Sequence, residues 1–381
     1  MQEYREDDEK ALLKLLSINA RITNEDIAKR LHLSKQEASK LFDYVVSKYG
    51  LKFVPEISLE NMWHVEFAKQ ARLQTKRGII GEANELVSNA GFNEYSLKIN
   101  FIGSKPGKEE LYEAARSIPE MQFITMTSGH YDAWAYLVSR SFEDIRYALS
   151  NFNKKLEKYD KKENLAKIKT NFGFFALNKQ LVERFNIFES YRNLLSGLIE
   201  NGRATFTEIG AKYQQGSTQM LYAYDRLVRI GVLKRVTYYE TKPERTEASI
   251  IEIAITNEAK FEREKERWYL RMVDEANKSE CKYTYIADTL SPLGLIAIIN
   301  TKTEKEINEE ENALKKMNGA TIETTEITEP VIGSMGIRNF DMRYSCIYDY
   351  LELKNKVPRF EREQINTVNV EMNPQEEFAR F

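Results

Sequence analysis

Apolar positions between residues 8 and 57 follow a helical period and then give way to extended chain. Leu12, Leu13, Leu16 and Ile18 fall on one helical face. Asn19, Ala20 and Arg21 interrupt that face, and Thr23 and Asn24 supply cap chemistry for a short helix over residues 25–31. After a break at His32 and Leu33, Ser34 and Glu37 have capping-box spacing and open a third helix to about Lys48. Gly50 ends it, and residues 52–57 read as a strand. Three helices, the last two joined by a tight turn and followed by a strand, predict a winged helix-turn-helix.

The patterning then changes. Residues 93–177 read as β-α-β-β-α-β: strands at 95–102, 121–127, 131–138 and 166–177, and helices at 106–117 and 142–156. That order predicts a ferredoxin-like unit whose free sheet face needs a cover, most economically another sheet. The organisation repeats from residue 187. An apolar-faced helix (187–200) leads to a short helix (208–213), a turn at Gln214-Gln215-Gly216, a longer helix from Ser217 to about Ile230, and a strand at 233–239. Thr207-Glu-Ile-Gly-Ala-Lys is aligned with Asn24-Glu-Asp-Ile-Ala-Lys, which makes this the clearest internal repeat. A second β-α-β-β-α-β series follows, with strands at 249–255, 282–287, 293–300 and 320–327 and helices at 261–276 and 304–317.

The fold class expected is therefore α+β, two winged helix-turn-helix domains alternating with two ferredoxin-like domains. The expected boundaries are 1–58, a helical connector at 59–92, 93–180, 181–245, 246–338, and a C-terminal helix with a poorly ordered tail at 339–381.

Composition narrows the function classes. Among 381 residues, 42% hydrophobic and 30% charged is a globular balance, and the net charge of −2 provides no global field for nucleic acid. The basic residues are concentrated instead. Residues 21–52 hold seven basic and four acidic side chains, and residues 203–245 hold eight and four. These surpluses fall on the two helix-turn-helix segments, where phosphate contacts are needed. The candidate DNA-contacting residues are Lys35, Gln36, Ser39 and Lys40 in the first unit. In the second they are Ser217, Gln219, Tyr222, Arg226 and Arg229, with Lys234 and Arg235 on its strand. Lys48 is counted among the exposed lysines of the first reading helix.

Cys281 and Cys346 form neither a disulfide framework nor a metal cluster. The acidic N-terminal stretch lacks the apolar core of a secretory signal, and no run of about eighteen apolar residues predicts a membrane span. A cytoplasmic protein with no cofactor and no metal is expected. There is no glycine-rich phosphate loop, no nucleophile elbow and no recognisable pair of catalytic carboxylates. No catalytic residue is assigned, and the chain is expected not to be an enzyme.

The segment ALLKLLSINARITNEDIAKRLHLSKQEASKLFDYVV, the run Pro106-Gly107-Lys108-Glu109-Glu110 and above all Ser128-Gly129-His130-Tyr131-Asp132 resemble the Lrp/AsnC (leucine-responsive, feast/famine) regulators. The Gly-x-Tyr-Asp turn looks like that family's sensing-domain signature. The resemblance implies double-stranded DNA as partner, dimerisation through the sheets, further homo-oligomerisation, and an amino-acid or other small-molecule effector. Carried over, the effector residues are Gly129, Tyr131 and Asp132. The second sensing domain has Asp288-Thr-Leu-Ser-Pro-Leu-Gly at that place, which implies loss of the ligand site. The tandem copies are expected to pair inside one chain and to read an asymmetric site. Two alternatives stand beside this. Siroheme decarboxylases share the tandem-capable fold, although only His32, His64 and His130 are present for such chemistry. A protein-protein scaffold without DNA contact is the other.

Overall fold

Each element forms where local chemistry closes it. The computed structural model describes residues 6–62, 65–66, 92–241, 247–255, 267–268, 271, 283–290, 293–301, 303–316 and 320–333. Helix α1 (Glu6–Ile18) is followed by α2 (Asn24–Leu31), which Thr23 caps through its hydroxyl to Asp26 N at 3.1 Å. Helix α3 (Lys35–Tyr49) opens on the capping box of Ser34 and Glu37, with bonds of 2.8 and 3.2 Å. His32 joins α2 to α3 in the left-handed region (φ 56), its N–H bonded to Ala28 O. Leu12, Leu13, Leu16, Ile27, Ala38, Leu41 and Val45 make the core of this unit, and strand β1 (Leu51–Ile57) leaves it.

The first ferredoxin-like unit comprises β2 (Asn93–Ile102), α4 (Lys108–Ala115), β3 (Met121–Ser128), β4 (Ala133–Ser139), α5 (Phe142–Lys155) and β5 (Asp160–Phe172). Strand β5 starts six residues before the expected 166. Its first half, DKKEN, is polar because it pairs only with the end of β2 and faces solvent on its outer side, so no apolar alternation marks it. A short helix α6 (Lys179–Glu183) precedes the second helix-turn-helix: α7 (Glu189–Glu200), α8 (Phe206–Lys212), α9 (Ser217–Arg229) and β6 (Leu233–Glu240).

The repeat register differs by one residue from the sequence alignment. Thr205 caps α8 and forms a capping box with Glu208, as Thr23 caps α2, and Gln214 (φ 55) takes the turn position of His32. Thr205 is the counterpart of Thr23, which places Phe206, not Thr207, opposite Asn24. In this register Ile209 stands opposite Ile27, and the Ala-Lys match of the sequence alignment is lost.

The second α+β unit supplies β7 (Glu247–Ile255), β8 (Tyr283–Leu290), β9 (Leu293–Thr301), α10 (Glu304–Lys315) and β10 (Ala320–Ile332). Of the helix expected at 261–276, Arg267, Trp268 and Arg271 are helical and the rest lies outside the described residues. The helical connector (apart from its first residues), the C-terminal helix and the tail also lie outside them.

The eight strands close into one barrel in the order β10-β3-β4-β2-β5-β8-β9-β7. Each unit keeps its own four strands, and two antiparallel seams, β5 with β8 and β3 with β10, join them. Closure removes the exposed edges that two separate sheets would leave. Phe123, Trp134, Tyr136, Ile250, Tyr285, Ile296 and Ile298 fill the interior, and Leu97, Ile99 and Leu137 pack outward under α4 and α5. Phe175, from the segment after β5, sits among Phe123, Tyr136 and Tyr285 with ring centroids 4.5 to 4.9 Å away.

Candidate nucleic-acid interface

The two helix-turn-helix units are tied to each other before either meets a ligand. Strands β1 and β6 form a two-stranded antiparallel sheet from Leu51 opposite Glu240 to Ile57 opposite Leu233. Within it Glu56, 3% exposed, takes Arg235 Nε at 2.6 Å. The turns ahead of α2 and α8 then exchange arginines. Arg21 donates to Gly202 O and Ala204 O at 2.9 and 2.8 Å and lies over Phe206, 4.7 Å from its centroid. Arg203 donates to Ala20 O and to Ile22 O and lies over Phe42 at 4.4 Å. Each guanidinium thereby satisfies carbonyls in the opposite unit and stacks on its aromatic residues. Burial lowers the pKa of both.

This pairing leaves α3 and α9, the candidate reading helices, outward. Lys35, Gln36 and Lys40 are exposed on α3, and Ser217, Gln219, Tyr222 and Arg229 on α9. Ser39 is half-buried and accepts from Asn24 Nδ2 at 3.2 Å, which ties α3 to α2. Arg226 is half-buried. Lys234 is exposed on β6, 3.9 Å from Glu56, while Arg235 serves the sheet between the wings. The helices are unlike: Leu221 and Tyr222, 41% and 70% exposed, stand where α3 carries Ser39 and Lys40.

The basic surplus counted from sequence is smaller at the surface. Arg21, Arg203 and Arg235 bind protein groups, Lys212 binds Glu200, and Lys48 binds Glu9 at 2.7 Å. Lys48 is thus not a free lysine of the reading helix, since Glu9 holds its ammonium in the charged form and raises its pKa.

The Gly129-His130-Tyr131-Asp132 turn forms a lock between barrel strands. Gly129 (φ 129) turns the chain beside Thr325 of β10, a contact no sequence pattern announces. Asp132 Oδ2 accepts Phe101 N at 2.7 Å and Oδ1 takes Lys105 Nζ at 2.6 Å. Tyr131 is buried, and its hydroxyl donates to Glu252 at 3.2 Å. Deeper in the barrel, Glu94 accepts the Tyr136 hydroxyl and Thr170 Oγ1, which also contacts the Tyr285 hydroxyl at 2.9 Å. Burial, then Glu94, pushes both tyrosine pKa values well up, so both hydroxyls stay protonated. His32 and His130 are exposed on separate units, and His64 lies outside the described residues. Among the described residues no cluster of three metal-ligating side chains occurs, and no helix is long and apolar enough to cross a membrane.

No protein-family model and no curated protein sequence matches the chain. Solved structures do. The siroheme decarboxylase NirDL matches over 91% of this chain and 98% of its own, with a TM-score of 0.53 and 12% identity. Its co-complex with an iron-uroporphyrin III analogue matches over 92% and 99%, with a TM-score of 0.52 and 12% identity. Regulators match over less than half the chain. An AsnC-family transcriptional regulatory protein from Pyrococcus furiosus covers 38% of this chain and 90% of its own, at 18% identity and a TM-score of 0.32. B. subtilis LrpC covers 38% and 95%, at 16% and 0.32. The fold is thus α+β, winged helix-turn-helix units with ferredoxin-like units, and it is shared over its length with NirDL. The expectation that the chain is not an enzyme is corrected here, because the structures that match it end to end are those of an enzyme.

Proposed function

We propose that the chain is a DNA-binding regulator of the Lrp/AsnC type whose two unlike helix-turn-helix units act as one linked reader of an asymmetric site. The observation that carries this reading is the arginine exchange with the β1–β6 sheet, which joins two units whose polar reading faces remain exposed. Helix-turn-helix pairs place such helices in successive major grooves.

The test is a salt titration of binding to duplex DNA. Replacing Lys40 and Arg229 by alanine removes two phosphate partners, one per unit. The slope of log affinity against log salt is expected to flatten by about 1.8, about 0.9 per contact. An unchanged slope rejects these residues as DNA contacts.

The whole-length likeness to NirDL favours a second reading, a decarboxylase acting on siroheme as substrate. Its signature is a Soret-band change on adding siroheme, followed by loss of carboxylate mass from the tetrapyrrole. A Soret change with no affinity for DNA selects this reading over the first.

A further inference from the structure

Lys98 and Glu252 occupy the same place in the two ferredoxin-like units. Lys98 lies on β2, opposite Trp134 of β4 and Asn164 of β5. Glu252 lies on β7, opposite Ile296 of β9 and Glu323 of β10. Each is the corresponding residue of the first strand of its β-α-β-β-α-β unit. The two meet across the barrel as an ion pair, with side chains 23% and 14% exposed. Tyr131 donates to the other oxygen of Glu252, and its ring centroid lies 5.7 Å from the Lys98 ammonium.

Equivalent residues in contact lie beside the axis relating the two units, and at such an axis a true dimer brings each residue against its own copy. Two first units paired in this way would set Lys98 against Lys98. Two second units would set Glu252 against Glu252, with Glu323 on the adjacent strand of each. Like charges shielded from water oppose association, and opposite charges at equivalent positions are compatible only with unlike units.

We infer that the inner faces of the two ferredoxin-like units form a mutually selective interaction surface: each accepts the unlike unit and rejects a copy of itself. The partner of the first unit's sheet is therefore the second unit, and pairing between identical sheets of different chains is closed. This holds whichever ligand the helix-turn-helix units take.

Charge reversal in the full-length chain tests it. Lys98→Glu and Glu252→Lys are each expected to lower the thermal midpoint, and the double reversal is expected to recover at least half of the summed loss. A double variant that loses the full sum overturns the inference. If the reversals do not fold, Lys98→Gln, Glu252→Gln and their double variant carry the same cycle. Coupling between them supports the inference and strict additivity overturns it. Crosslinking of the wild-type chain reads the rejection directly. A zero-length carbodiimide is expected to join Lys98 to Glu252, whereas an amine-to-amine reagent that yields a Lys98–Lys98 peptide, necessarily from two chains, contradicts it.

Discussion

Replacing Arg21 and Arg203 together by alanine is expected to weaken the chain by about 2–4 kcal/mol and DNA binding by on the order of tenfold, with no change at either reading helix. Each guanidinium satisfies two carbonyls of the opposite unit and covers its aromatic residues. Truncation leaves those carbonyls without the donor and exposes apolar rings. The β1–β6 sheet still tethers the units, so affinity falls through looser spacing of α3 and α9 and does not vanish. Thermal unfolding and binding to one fixed duplex check the two parts. A stability loss with unchanged affinity would show that the exchange holds the fold without setting the spacing.

Gly173→Ala is expected to be strongly destabilising for a single added methyl. Gly173 sits where β5 leaves the barrel, at φ 74, and an added Cβ would lie 2.2 Å from Thr284 O and 3.0 Å from Tyr285 Cα. Both obstacles are backbone of β8, which a rotamer change cannot clear. The cost is about 3–5 kcal/mol, seen as a drop in the unfolding midpoint of roughly 5–10 °C. Gly103→Ala provides the control: the same left-handed strain (φ 85) with nothing within 4 Å, for about 1–2 kcal/mol. Equal losses at both positions would assign the effect to backbone strain alone.

Local chemistry made much of this architecture legible. The caps at Thr23 and Ser34, the glycine at 50 and the alternation in β2 are all short-range signals, and the elements form there, with β2 beginning two residues earlier than expected. Interactions between distant residues were not legible. Arg21 and Gly202 are 181 positions apart, as are Arg203 and Ile22, so a charge count included both arginines in the basic surplus of the two helix-turn-helix segments. Arg235 and Lys48 were misplaced for the same reason, their partners Glu56 and Glu9 being ordinary acids in sequence. The barrel seams were invisible because β5 and β8 carry no pattern that specifies a foreign strand. Tyr131 and Asp132 looked like ligand groups and serve Glu252, Phe101 and Lys105 in the folded chain.

Selection of preferred sites from random duplex DNA by the full-length chain decides whether one chain reads one asymmetric DNA site with two unlike helices. Enrichment of two dissimilar half-sites at a fixed separation of about one helical turn, roughly 34 Å, is expected. Recovery of perfect palindromes, or no enrichment at all, would overturn that reading.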